Sequence, residues 1–444
     1  MKAKVPVFIV SMLAIAVVAM VVTDCCPNDV QFESFDSFVR DAFPRETASE
    51  LNQTVDLYVD YSTCVAEAKT SEFYKATHPA IVNCDPNYYS IKGKDIKLET
   101  SNRNDVYKLL NAVTEVNNAD LLQAITNITD ADNQAVLITD GEYFPDNIVR
   151  DNLDNPYLAP AIKKWLNKGH DIYIYSEPYV ESNRFAKFRY YMIFTDDDMD
   201  NNLNDKFVRN CPTVSDVQML HLCSDAPKVE FSRDYPEINP TLSAVEHEEV
   251  EDCTLIDIQF PWKDMLEYMR TKDIEQDYFL RGIRLKNNDS DCYRIKEVVP
   301  VVYQLYDPYV EYADSLAVDG ALPRFAKGAF KQVRDVFAVD RDALARDGEI
   351  ILKIYDDFSE RDLSFEHDNL FKIDFVVTDA KENFSDNDVL RNAFIWNSIS
   401  KSNNHAPNTS LYQSIALVLR EPRMNPKYDQ KVVYSVYVKT PAYK

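Results

Sequence analysis

Glycine is nearly missing from this chain: seven in 444 residues, where an ordinary globular protein would carry about thirty. No GxxxxGK and no GxGxxG occurs, so a glycine-built phosphate cradle is excluded. Left-handed turn positions must fall to Asn and Asp instead. Histidine is scarce, with six in all, and none stands in a HExxH frame. No CxxC is present either, and together these absences argue against a structural zinc site. No serine sits in GxSxG, so a hydrolase nucleophile elbow is unsupported. Positive charge is in deficit, 48 basic residues against 73 acidic, for a net charge of -25. Such a field repels nucleic acid and anionic membranes and favours cations, basic partners and solubility.

What is present begins with an export signature. Lys2 and Lys4 precede an apolar run from Val5 to Val22, long enough for a signal peptide or a retained membrane anchor over residues 1–26. Charge before the run and none just after it places the remainder outside the cytoplasm, in the cell envelope. Cys25-Cys26 resembles the acceptor cysteine of a bacterial lipoprotein, although Asp24 stands where a small residue is expected and the usual upstream Leu is missing. Six more cysteines follow, Cys64, Cys84, Cys211, Cys223, Cys253 and Cys292. An even count in an exported chain predicts disulfides, and the most local pairing is 64–84, 211–223 and 253–292.

The length predicts more than one domain. Residues 27–51 read as a tether with room for one short helix. From 52 to 222 strand and helix patterns alternate: VDLYVDYS, IKLET, QAVLITDG, HDIYIYSEPY and FRYYMIFTDD as strands, DVYKLLNAVTEV, DLLQAITNIT and LAPAIKKWLNKG as helices. That alternation predicts an α/β domain with a doubly wound, mostly parallel sheet. From 223 to 444 strand patterns dominate, and a β-rich α+β region is expected, with helices over RFAKGAFKQVRDVF and SLYQSIALVLRE. VVYSVYVKT alternates as a half-exposed strand would.

In an open parallel sheet, ligands bind where strands end at their carboxyl edge. Asp60, Ser62 and Cys64 lie just there in VDLYVDYSTC, and Asp140 ends AVLITDG. Asp196, Asp197 and Asp198 follow YYMIFT, so several acids are expected to converge on one edge. DDDMDNN lacks the glycine and the glutamate of a calcium loop and reads better as the acidic lead-in to a helix at NDKFVRN.

Over roughly residues 52 to 215 the pattern resembles von Willebrand factor A domains. VDLYVDYSTC stands for their strand-terminal Asp-x-Ser-x-Ser, NNADLLQAI for their turn and helix, and AVLITDGEYF for their third element. The resemblance implies a metal-ion-dependent adhesion site, in which a bound Mg²⁺ or other divalent cation receives an acidic group of a protein partner. Two positions depart from it. Cys64 replaces the second serine, and Ala119 falls where the threonine ligand belongs, which leaves Asp60, Ser62 and Asp140 as oxygen ligands, with Asn118 or Thr63 as partial substitutes. A thiol is a poor ligand for Mg²⁺. The expectation is a non-catalytic binding or structural protein, membrane-tethered through its N-terminus, that presents this sheet edge to a protein partner. The alternative is a metal-dependent phosphoesterase with Asp60, Asp140 and Asp196 around a cation that activates water.

Overall fold

The computed structural model describes residues 34–44, 50–114, 119–143, 153–180, 186–224, 228–233, 236–239, 245–250, 253–258, 278–286, 292–318, 321–326, 328–334, 336–354, 363–399 and 405–442. The segment expected to be a signal peptide or anchor, Cys25, Cys26 and Asn118 lie outside them. Among the described residues no helix is long and apolar enough to cross a membrane.

The first half is built on a seven-stranded sheet: β1 (Asn52–Asp60), β2 (Asn87–Lys92), β3 (Asp95–Thr100), β4 (Asn133–Thr139), β5 (Asp171–Val180), β6 (Ala186–Thr195) and β7 (Gln218–Leu222). Their order is β3-β2-β1-β4-β6-β5-β7. The centre is parallel as expected, with β1 between β2 and β4. Both flanks are antiparallel: β3 returns on β2, and β6 lies between β4 and β5, opposed to both. β2 and β7 were not apparent in the sequence. NYYSIK and QMLHL are short and mix polar with apolar residues, so their period is weak.

Helix ends follow local chemistry. Ser71, Asn102, Asp120 and Asn202 each accept a backbone N–H at the start of their helices, a capping bond worth about 1 kcal/mol. Asp120 thus stands at the cap of Leu121–Ala131, one place ahead of its first turn. Asp85, Asp132 and Asn201 take positive φ, the work glycine does elsewhere. Lys164 and Lys168 pair with Asp130 and Asp132, tying the helix Ala159–Leu166 to the end of Leu121–Ala131.

Strand alternation divides the core into two layers. Val55, Leu57, Val59, Val136, Ile138, Tyr191 and Ile193 face the helices Glu72–Val82, Arg103–Asn111 and Leu203–Asn210. Tyr58, Ala135, Leu137, Tyr190, Met192 and Phe194 face Leu121–Ala131 and Ala159–Leu166. This second layer contains a surprise for the expected boundary at 222/223. Phe384, Leu390, Phe394, Trp396, Leu411, Ile415 and Leu419 belong to the same core. Residues 384–399 and 405–424 therefore return to the first module, and the helix Ser410–Leu419 packs on Ala159–Leu166. Ser414 Oγ accepts the N–H of Leu158, and Thr409 N–H reaches Leu153 O at 2.7 Å.

The rest of the second half is β-rich. A six-stranded and a five-stranded sheet share a core that includes Ile256, Ile283, Leu352, Phe371, Ile373 and Val436. Val432–Thr440 is not half-exposed: it lies between two neighbours in the six-stranded sheet, and residues 435 to 440 are all buried. The described residues of RFAKGAFKQVRDVF form no helix. They lead into a short strand at Lys331–Val333, because pairing with Tyr293–Gln304 outweighs a weak helical period.

Part of the expected tether is also structural. Phe35–Ala42 is a helix whose Phe35, Phe38, Val39 and Ala42 are buried with Leu255, Tyr309, Tyr312 and Tyr437 of the second half.

Candidate functional site

β1 and β4 run side by side in parallel, with Val59 opposite Ile138, so Asp60 and Asp140 emerge at the same rim. Asp60 is fully buried, Asp140 6% exposed and Ser62 7% exposed. Thr139 O–H donates to Asp60 Oδ2 at 2.8 Å, and Gly141 N–H donates to Thr139 Oγ1 at 3.0 Å. Asp140 Oδ1 accepts Glu142 N–H at 2.9 Å. Burial pushes the Asp60 carboxyl up to about 7, against the Thr139 and Ser62 hydroxyls and the Asp140 backbone N–H, which favour its charge. Burial and the neighbouring Asp60 push Asp140 well above the carboxylate range. Two like charges in a dry place cannot both persist without a counter-ion or a proton.

Two oxygens here have no hydrogen-bond partner: Asp60 Oδ1 and Ser62 Oγ, both buried. Ser62 opens the short helix Thr63–Ala66 but does not cap it with its side chain. Its hydroxyl lies near enough to Asp60 to favour the carboxylate, yet it meets no acceptor in hydrogen-bond geometry. Orphaned buried oxygens are uncommon. An all-oxygen set of two carboxylates and a hydroxyl fits a hard divalent cation.

The departures from the adhesion-site pattern have structural counterparts. Cys64 is fully buried, and burial raises its thiol further. Its carbonyl is gripped by Arg189 at 2.7 and 3.1 Å. Ala119 is buried and bridges Gly93 beyond β2. Neither supplies a ligand for a hard cation. Cys64, Cys84 and Cys211 are thiols, which removes the expected 64–84 and 211–223 pairings. Cys64 points into the core, while Cys84 Sγ donates to Ala80 O in the last turn of the preceding helix. The Cys253 side chain lies outside the described residues, but Cys292 is a thiol as well, which removes the expected 253–292 pairing too.

Asp196 is not at this rim. β6 opposes β4, with Thr139 opposite Tyr190 and Ala135 opposite Phe194. Asp196 therefore sits beside the start of β4, roughly 20 Å from Asp140 at 3.3 Å per residue. There it meets His170 Nδ1 at 3.2 Å. The three-acid set of the phosphoesterase alternative does not assemble.

The rim is roofed by the second half of the chain. A Cβ on Gly141 would lie 3.0 Å from the Tyr190 ring, 3.1 Å from Leu411 and 3.2 Å from Trp396. Trp396 Nε1 donates to Glu142 Oε1 at 2.9 Å, and Lys187 Nζ pairs with the same oxygen at 3.3 Å. Glu142 was legible as a neighbour of Asp140 in TDGEYF. Trp396 and Lys187 were not, because nothing local ties them to positions 60 and 140.

Neither a protein-family model, nor a curated protein, nor a solved structure matches this chain.

Proposed function

We propose that this is an exported, membrane-tethered binding or structural protein without catalytic activity. Its A-domain-like module keeps a divalent-cation site at the sheet edge, and its own C-terminal segment covers that site. The observation that carries the reading is the buried pair Asp60 and Asp140, with Asp60 Oδ1 and Ser62 Oγ left unpartnered. Asp60 and Asp140 would hold a Mg²⁺-like ion by charge and Ser62 by a neutral oxygen. When bound, the ion would neutralise the two carboxylates and draw β1 and β4 together at their ends. Trp396 and Leu411 pack against Gly141, the neighbour of Asp140, which supports the covered reading. The cation thus acts as an internal fastener, and the partner is a protein with basic groups that matches the net charge of -25.

The non-catalytic reading is favoured by what surrounds the pair. The hydrogen bonds to its carboxylates come from the Thr139 hydroxyl and the Glu142 N–H, and no histidine is among these neighbours. His170 and His221 lie at the far rim with Asp196 and Asp171.

Isothermal titration of the full-length protein with Mg²⁺ and Mn²⁺ tests the site. Saturable heat in the wild type that disappears in Asp140→Asn supports it. Absence of heat with both ions removes the cation. Divalent-dependent turnover of generic phosphoesters, lost in the same variant, would overturn the non-catalytic reading.

A further inference from the structure

A second group of metal-capable side chains lies at the opposite rim. Strand alternation puts Asp171 and Tyr173 of β5 on one face, and it puts His221 of β7 and Cys223 just beyond it on that same face. The register pairs Tyr173 with His221 and Ile172 with Leu222, so Asp171 and Cys223 fall opposite one another. A carboxylate oxygen of Asp171, an imidazole nitrogen of His221 and the Cys223 sulfur all lie within 4.8 Å of one another. Donors in a tetrahedral shell at zinc bond lengths stand about 3.3–3.8 Å apart. The group can therefore close on an ion by side-chain adjustments of roughly 1 Å.

The surroundings hold these donors in place, as supporting hydrogen bonds do around a metal. Asp171, 2% exposed, turns Oδ1 to His221 Nε2 at 2.7 Å, while Oδ2 accepts the Asp197 N–H at 2.8 Å. The His221 ring stacks on Tyr173 with centroids 4.1 Å apart and 4° between planes. The Tyr173 hydroxyl donates to the Asp197 carboxylate, one oxygen of which stands 4.0 Å from His221 Nε2. Cys292 Sγ donates to His221 O at 3.1 Å, fixing the strand from its other side.

We infer that Asp171, His221 and Cys223 form a second cation site for a borderline-soft divalent ion of the zinc class, with its fourth position facing Asp197. A carboxylate, an imidazole and a thiolate suit zinc and cobalt far better than Mg²⁺. Binding replaces the thiol proton with the metal–sulfur bond and releases that proton to solvent. One carboxylate and one thiolate then neutralise the ion. The site fastens β7 to β5 just where the chain leaves the first module for the second half. It is independent of the Asp60–Asp140 site and of the reading built on it. Motif spacing hides this site because two of its ligands form only a His-x-Cys and the third comes from a strand 50 residues earlier.

The test is a titration of the reduced full-length protein with Co²⁺ and then Zn²⁺. One equivalent of Co²⁺ is expected to give tetrahedral d–d bands and a sulfur-to-cobalt charge-transfer band, both erased by Zn²⁺. The charge-transfer band is lost in Cys223→Ser and the whole spectrum in His221→Gln, whereas Cys211→Ser and Asp140→Asn keep both. On the unmutated protein, Zn²⁺ slows alkylation of Cys223 by about tenfold or more, mapped by mass spectrometry, and leaves Cys84 unchanged. That arm needs no variant to fold. A wild type without the charge-transfer band, a band that survives Cys223→Ser, or a Cys223 alkylation rate indifferent to Zn²⁺ overturns the assignment.

Discussion

Trp396 donates its indole N–H to the Glu142 carboxylate at 2.9 Å, across 254 residues of chain. The contact closes the rim at which Asp60 and Asp140 meet, and it makes the two halves of the protein one structure there. Trp396 is 4% exposed. Trp396→Ala should cost about 3–5 kcal/mol, and Trp396→Phe, which keeps a ring but loses the bond to a charged acceptor, about 1.5–3 kcal/mol. Urea denaturation measures both. A loss below 1 kcal/mol for the alanine variant would mean that the roof is not packed.

Gly141 sits beneath that ring with φ at +74°. Gly141→Ala adds a methyl against Tyr190, Leu411 and Trp396 and a left-handed residue with a Cβ. The sum should be about 2–4 kcal/mol, read in the same denaturation experiment. A neutral substitution there contradicts the closeness of the roof.

The pH dependence follows from Asp60. Its folded value, raised by burial to about 7, lies above the ordinary carboxylate value. The folded state therefore binds the extra proton, and this contribution is fully present below pH about 4 and lost as pH rises through about 7. Asp140 shifts in the same direction. In chelator at pH 8, Asp60→Asn should be more stable than the wild type, by at most about 4 kcal/mol at 1.36 kcal/mol per unit. At pH 4 the two should converge. Mg²⁺ should stabilise the wild type at pH 8 and do little at pH 5, where protons hold the site. Denaturation curves parallel across that range would sink the prediction.

Arg189 is 1% exposed and pairs with Glu177 at 2.6 Å while holding the Cys64 carbonyl. Glu177 also accepts from Ser71 and Tyr191. Arg189→Met leaves that carboxylate buried without its cation and should cost about 3–5 kcal/mol. Adding Glu177→Gln should return a large part of the loss. A double-mutant cycle with no coupling energy would place the stabilisation elsewhere.

The helix Phe35–Ala42 is tested by Phe38. Its ring lies edge-on to Tyr309 and Tyr312 at 5.5 Å and to Phe325 at 5.6 Å. Phe38→Ala should lower stability by about 3–5 kcal/mol. A mere tether would register no change in a thermal melt.

The sequence by itself determined much of the first module. Short apolar and β-branched runs in VDLYVDYS and AVLITDG marked two strands, which are buried on both faces at the centre of the sheet. The helix that begins at Asp120 and the acids at strand ends were legible because those patterns act within a few residues. The nearness of Asp60 to Asp140 followed from parallel neighbours in one sheet. The tertiary structure alone decided the direction of β6, which sends Asp196 to the far rim, since a strand's period is the same in either direction. It also decided that Trp396 and Leu411 cover the Asp60–Asp140 rim, and that Asp171 meets His221 and Cys223. Long-range packing joins residues by complementary surfaces rather than by spacing along the chain, so no local pattern announces it.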